Sequence, residues 1–161
     1  KMSLLDDAAE RALRGRLLEG HRLFTGDDFN YVELIADDAD GVHSDALLGA
    51  FAAVGPSASA AIQALDAGDA DTYRRILEPT EALARQIFAA PTPFYKTGVA
   101  FLAWLNGHQR TPAMVGGLHS GRSLPHLSEI VRLADAGGAL EDPDLAAYRW
   151  NALLELNGVA A

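Results

Sequence analysis

Chemistry-bearing residues stand in a fixed register at the start of the chain: Lys1, then Thr25-Gly26-Asp27-Asp28, then Asp40-Gly41-Val42, with His43 and Asp45 just beyond. An amine, adjacent carboxylates and an imidazole supply nucleophile, acceptor and donor types, and glycine lets a backbone approach closely. Each mark also has a plain structural reading. A lysine at the first residue is ordinarily a frayed, solvated terminus. Asp27 or Asp28 is placed to cap the helix that follows. Asp37-Asp38-Ala39-Asp40 suggests a magnesium-binding cluster, but one acidic run at a helix end, without a second, reads as a solvated turn. No metal and no cofactor is expected, because the chain has no cysteine and its five histidines include no pair at the i, i+4 spacing of a helical zinc site. His119 and Arg122, in Leu118-His119-Ser120-Gly121-Arg122, read first as a solvated loop with its own turn hydrogen bonds, and second as the lining of a cleft.

The elements that position these residues follow from periodicity. Residues 4–18 predict a helix with Leu5, Ala8, Ala9, Ala12, Leu13 and Leu17 on one stripe and Asp6, Asp7, Glu10 and Arg14 outside. Ser3 is its expected N-cap, and Arg11, Arg14 and Arg16 read as its wet face. Gly20 ends it, and residues 21–25 predict a short strand. A second helix runs through Phe29, Val32, Leu34 and Ile35 to the break at Asp40-Gly41, and residues 42–44 predict a second strand. This alternation is the pattern of a parallel sheet wound with helices. Downstream the pattern is helical, over residues 46–53, 57–67, 70–89, 92–105, 125–136 and 144–157, with one long glycine-rich loop over 106–124. Val99, Phe101, Trp104 and Leu105 form an apolar helix face that reads as core or subunit interface. Two strands cannot close a sheet alone. The expectation is therefore either an all-helical fold or part of a larger α/β body.

At 161 residues, 49% hydrophobic and 22% charged, the composition is that of a folded globular chain. A net charge of -9 disfavours nucleic-acid binding, which rests on clustered Lys and Arg. The apolar run 99–105 is far shorter than the roughly 20 residues of a membrane span, so no membrane role is expected. Without cysteine or a leader pattern, the expected location is cytoplasmic.

In order and spacing, Lys1-Met2-Ser3, Thr25-Gly26-Asp27-Asp28 and Asp40-Gly41-Val42 resemble the strand ends six, seven and eight of the dihydrodipicolinate synthase and N-acetylneuraminate lyase family. Ala67-Gly68-Asp69 and Pro91-Thr92-Pro93-Phe94-Tyr95-Lys96 resemble two later segments of it. The resemblance implies the C-terminal portion of a (β/α)8 barrel, with the last strand-helix units over residues 1–55 and a C-terminal helical region over 56–161. It implies a lyase or aldolase in which Lys1 forms an imine with pyruvate or another 2-oxo acid. Gly26 would let the loop approach the substrate, and Ser3, Asp27, Asp28, His43 and Asp45 would bind it. Small-molecule 2-oxo acids and aldehydes are the implied partners, and a homo-oligomer the implied assembly. His43 and Asp45 stand where the family has an aliphatic and a small residue, which suits a polar partner molecule. The family's carboxylate-binding pair and proton-relay tyrosine lie upstream of its lysine, and nothing in this chain replaces them. The alternatives are a non-catalytic helical interaction module and a catalytically dead barrel homologue.

Overall fold

The computed structural model describes residues 1–36 and 41–159. The acidic run 37–40, including Asp40 of the third mark, lies outside the described residues. The described chain is mostly helical with two short parallel strands, and it divides into two compact units, Lys1–Arg85 and Gln86–Ala161. This division by contact is of a different kind from the expected one at residue 55, which separates barrel strands from a helical extension.

In the first unit, α1 (Asp7–Arg14) is capped by Asp6, whose side chain accepts the Ala9 N–H at 3.0 Å. Ser3, the expected cap, instead lies against Gly26. The burial of α1 also reverses the expected pattern. Glu10 is 0% exposed and Arg14 is buried, whereas Leu5 and Leu13 are each 39% exposed. The cause is polar satisfaction: Glu10 accepts from the Thr25 hydroxyl at 2.9 Å and the Ser44 hydroxyl at 2.7 Å, and Arg14 donates to the Leu34 carbonyl at 3.0 Å. Buried polar groups persist where they are hydrogen-bonded, whatever the hydrophobic stripe says.

The parallel strands β1 (Phe24–Thr25) and β2 (Asp45–Ala46) pair in register Phe24↔Asp45 and Thr25↔Ala46. Met2 adds a parallel bridge to Thr25, its N–H donating to the Phe24 carbonyl at 3.0 Å. Three segments thus lie side by side in the order Met2, β1, β2. The second strand begins at Asp45 rather than at residue 42. The Ser44 N–H is drawn to the Leu34 carbonyl at 2.8 Å, and the ladder starts with Asp45 N–H to Leu23 O at 2.8 Å. Between the strands, α2 (Tyr31–Ile35) buries Tyr31, Val32, Leu34 and Ile35.

The region expected to be helical over 46–53 is β2 followed by a single 3-10 turn, Ala50–Ala52. The chain then forms α3 (Gly55–Asp66), α4 (Ala70–Leu77) and α5 (Glu81–Ile87). The single helix expected over 70–89 is broken by a 3-10 turn at Glu78–Thr80, where Pro79 lacks an N–H for the ladder. Tyr31, Tyr73, Leu77 and Leu83 are fully buried here, each such large apolar side chain contributing about 1.5–3 kcal/mol. The two phenols keep partners: Tyr31 pairs with the Thr80 hydroxyl at 2.7 Å and Tyr73 donates to the Val32 carbonyl at 2.8 Å. Burial pushes both phenol pKa values up.

The second unit is built from α6 (Tyr95–Leu105), α7 (Leu124–Ala136) and α8 (Pro143–Leu156). Ser123 and Asp142 cap α7 and α8 through hydrogen bonds of 3.4 and 2.9 Å. A Cβ at Gly98 would stand 3.0 Å from Ile130 Cδ1, so the absent side chain lets α6 lie close to α7. Phe101, Trp104 and Leu105 are buried, the core reading of that face. Among the described residues, no helix is long and apolar enough to cross a membrane.

Candidate functional site

In the first unit, three chain segments deliver their C-terminal ends to one place: Lys1-Met2-Ser3, Thr25-Gly26-Asp27-Asp28, and Ala46-Leu47. C-terminal ends of parallel strands are where wound α/β sheets place ligands. The closest fit within the group is the Lys1-Met2-Ser3 segment against Gly26. A Cβ built on Gly26 would lie 2.6 Å from Lys1 Cε and 2.7 Å from the Met2 carbonyl oxygen, with Ser3 Oγ closer still. The lysine stem therefore runs across a glycine that is kept bare.

The two sheet faces differ. Thr25 and Ser44 turn toward α1 through Glu10. The alternate face carries Phe24 at 39% exposure and Leu47 at 54%, an open apolar surface beside Lys1. Asp45 shares that face and is ion-paired with Arg22.

The two loop carboxylates divide their work. Asp27 is fully buried and closes the turn before α2, its Oδ1 accepting the N–H groups of Phe29 at 2.8 Å and Asn30 at 3.0 Å, and its Oδ2 the Asn30 side-chain amide at 2.9 Å; α2 itself has Asn30 as N-cap with no side-chain cap bond, so the cap expected at Asp27 or Asp28 does not form. Asp28, 8% exposed, accepts the Ala50 N–H at 2.6 Å. Burial raises the Asp28 pKa, the Ala50 and Gly49 N–H groups oppose the rise, Asp27 adds to it and the Lys1 charge lowers it. Asp28 is thus a carboxyl whose ionised form burial disfavours.

This upward shift gives a pH prediction. A carboxyl whose pKa is higher folded than unfolded stabilises most below the unfolded value, and that contribution is lost as pH rises through the folded one. Asp28→Asn keeps an oxygen acceptor for Ala50 and removes the buried charge. Its melting temperature should exceed the parent's at pH 7, and the difference should disappear near pH 3. A lower melting temperature at pH 7 would show that the ionised carboxylate is the stabilising form.

His43 lies elsewhere. It precedes β2 and lines, with His21, Arg22, Leu23 and Arg14, a cleft of about 310 Å³ at the N-terminal ends of the strands. Lys1 leans toward the opposite ends, over Gly26. The structure thus brings Lys1, Ser3, Gly26 and Asp28 together, uses Asp27 to close the turn before α2 and Asp45 as an ion-pair partner, and places His43 apart.

A larger cleft, of about 590 Å³, occurs in the second unit. Arg122 and His119 both line it, with Phe101, Leu124, Leu127 and Leu153 among its apolar walls. Arg122 is 9% exposed and donates to the carbonyls of Ile87, Ala89, Ala90 and Pro91 around the end of α5. His119 Nδ1 accepts the Met114 N–H at 3.2 Å, the turn bonding expected of this loop. An arginine between two glycine-rich turns and a capped helix is the sequence signal for this position.

No curated protein matches the chain. A family model described as "Protein of unknown function (DUF993)" matches residues 1–159, and the chain belongs to that family.

Proposed function

We propose that Lys1 is the imine-forming nucleophile of a class I lyase or aldolase, acting on pyruvate or another 2-oxo acid. The observation that carries this reading is the lysine stem held over bare Gly26 at the shared end of parallel segments. In this reading the chain contributes the last strand ends of a (β/α)8 barrel. The carboxylate-binding and proton-relay groups of the dihydrodipicolinate synthase family, which this chain resembles, would in that reading come from outside these residues. The open face of Phe24 and Leu47 supports the same architecture, since an apolar sheet face needs a covering layer or a closed barrel around it.

The chemistry then follows from the groups present. The ε-amine must be neutral to attack the ketone carbon. Asp28, a carboxyl shifted toward its protonated form, is a suitable acceptor for the ammonium proton. Attack forms a carbinolamine, return of the proton from Asp28 lets its hydroxyl leave as water, and the resulting protonated imine withdraws electrons from the adjacent carbon-carbon bond. Ser3 and Asp28 are positioned to bind polar groups of the substrate. His43, at the other strand ends, is left out of this role.

Borohydride trapping tests the proposal. Reduction converts a protonated imine to a secondary amine that cannot hydrolyse. In the full-length protein, pyruvate plus borohydride should add one pyruvate-derived mass at the ε-amine of Lys1 and none at Lys96, the other lysine of the chain. Lys1→Arg should abolish the adduct. Labelling at Lys96 alone, or at neither residue with any 2-oxo acid tried, would transfer the reading to the non-catalytic helical module.

A further inference from the structure

We propose that the 590 Å³ cleft of the second unit binds a small carboxylate with an apolar body, the carboxylate turned toward Arg122 and His119. The volume falls inside the roughly 300–1,000 Å³ range of preformed small-molecule sites. Five of its lining residues, Phe101, Leu124, Leu127, Leu153 and Leu156, are large and apolar and suit a hydrocarbon body.

Charge decides the other end of the ligand. The chain carries 22 Asp and Glu against 13 Lys and Arg, yet among the described residues no Asp or Glu lines this cleft. Arg122 is buried there with backbone carbonyls for partners, at 2.5 Å from Ala89 and 3.3 Å from Ile87, Ala90 and Pro91. Its Nε–H has no hydrogen-bond partner among the described residues. Carbonyls at a helix end offer partial negative charge, whereas a buried guanidinium is normally balanced by a full anion. Holding the end of α5 explains the carbonyl bonds and leaves the charge unbalanced. His119 adds a donor: its Nδ1 accepts from Met114, so the neutral ring carries its proton on Nε2.

The nearby tryptophans report occupancy. Phe101 lines the cleft, and its ring centroid lies 6.0 Å from that of Trp104 and 5.7 Å from that of Trp150. Octanoate, octanol and octylamine are titrated into the full chain, following tryptophan fluorescence and heat. Octanoate should bind at least about tenfold more tightly than octanol, and octylamine more weakly than either. Ala113→Trp, a substitution at an exposed residue of the cleft wall, should abolish octanoate binding without lowering the melting temperature. Arg122→Lys should weaken octanoate binding severalfold while leaving octanol unchanged, which separates loss of the anion contact from loss of the fold. Equal affinity for octanoate and octanol, or octanoate binding that survives Ala113→Trp, overturns the proposal. A second copy as the occupant would appear as a concentration-dependent mass abolished by Ala113→Trp, with no octanoate binding, and would overturn it equally.

Discussion

Gly26→Ala is expected to lower stability by about 1–3 kcal/mol, the usual cost of overpacking. It should also reduce borohydride trapping at Lys1 by on the order of a hundredfold, the scale of a 1 Å displacement of a reacting group. The argument is one of space. The new Cβ would meet Lys1 Cε at 2.6 Å and the Met2 carbonyl oxygen at 2.7 Å. A lysine stem can swing away, but the Met2 carbonyl belongs to backbone already bridged to β1. Either the lysine leaves its platform or the bridge opens, and both displace the amine. Gly20 and Gly41 make the contrast. They have φ of +79° and +71° with nothing within 4 Å of an added Cβ, so alanine there strains the local turn without touching the lysine. Stability follows from urea denaturation and trapping from intact mass. A Gly26→Ala protein that traps pyruvate as well as the parent would show that the lysine does not depend on this platform.

How far the sequence could be read depended on where each constraint came from. The parallel pairing of the first two strands was legible, because the alternation of apolar runs with glycine breaks reflects a local winding rule. The capping role expected of Asp27 or Asp28 was not: Asp27 bonds Phe29 and Asn30 in the turn before α2, and the N-cap, Asn30, makes no side-chain cap bond. Nor was the start of β2. Val42-His43-Ser44 has as good a strand pattern as Asp45-Ala46. The choice is made by the Leu34 carbonyl, which takes the Ser44 N–H out of the ladder. The buried face of α1 is hidden from the sequence for the same kind of reason. Counting apolar residues puts Glu10 and Arg14 in water, and only the hydroxyls of Thr25 and Ser44 and the carbonyl of Leu34, brought up by distant sequence, make their burial favourable. Whether Arg122 lay in open loop or cleft was likewise undecidable from spacing, since its partners are four carbonyls at the end of α5.

Glu10 offers the largest single effect on stability. Its carboxylate is fully buried and joins two strands from the helix side, accepting from Thr25 on β1 at 2.9 Å and from Ser44, which precedes β2, at 2.7 Å. Hydrogen bonds to a charged group contribute about 1.5–3 kcal/mol each. Glu10→Ala removes both, leaves two buried hydroxyls without that acceptor and opens a gap, so it should lower unfolding free energy by roughly 3–5 kcal/mol. Glu10→Gln retains one carbonyl acceptor and should cost about half as much. The effect is distinguishable from simple cavity formation by coupling. Thr25→Val should cost less in the Glu10→Ala background than in the parent, by the worth of the Thr25–Glu10 bond, while loss of the acceptor for the Asp27 N–H costs the same in both. The same network reaches the candidate site: the Thr25 hydroxyl that donates to Glu10 also accepts the Asp27 N–H at 3.1 Å, at the base of the loop under Lys1. Glu10→Gln, folded but slackened, should therefore lower the rate of imine trapping while its pyruvate-derived adduct remains confined to Lys1. Additive costs for Glu10→Ala and Thr25→Val would mean that the carboxylate and the hydroxyl do not act through each other.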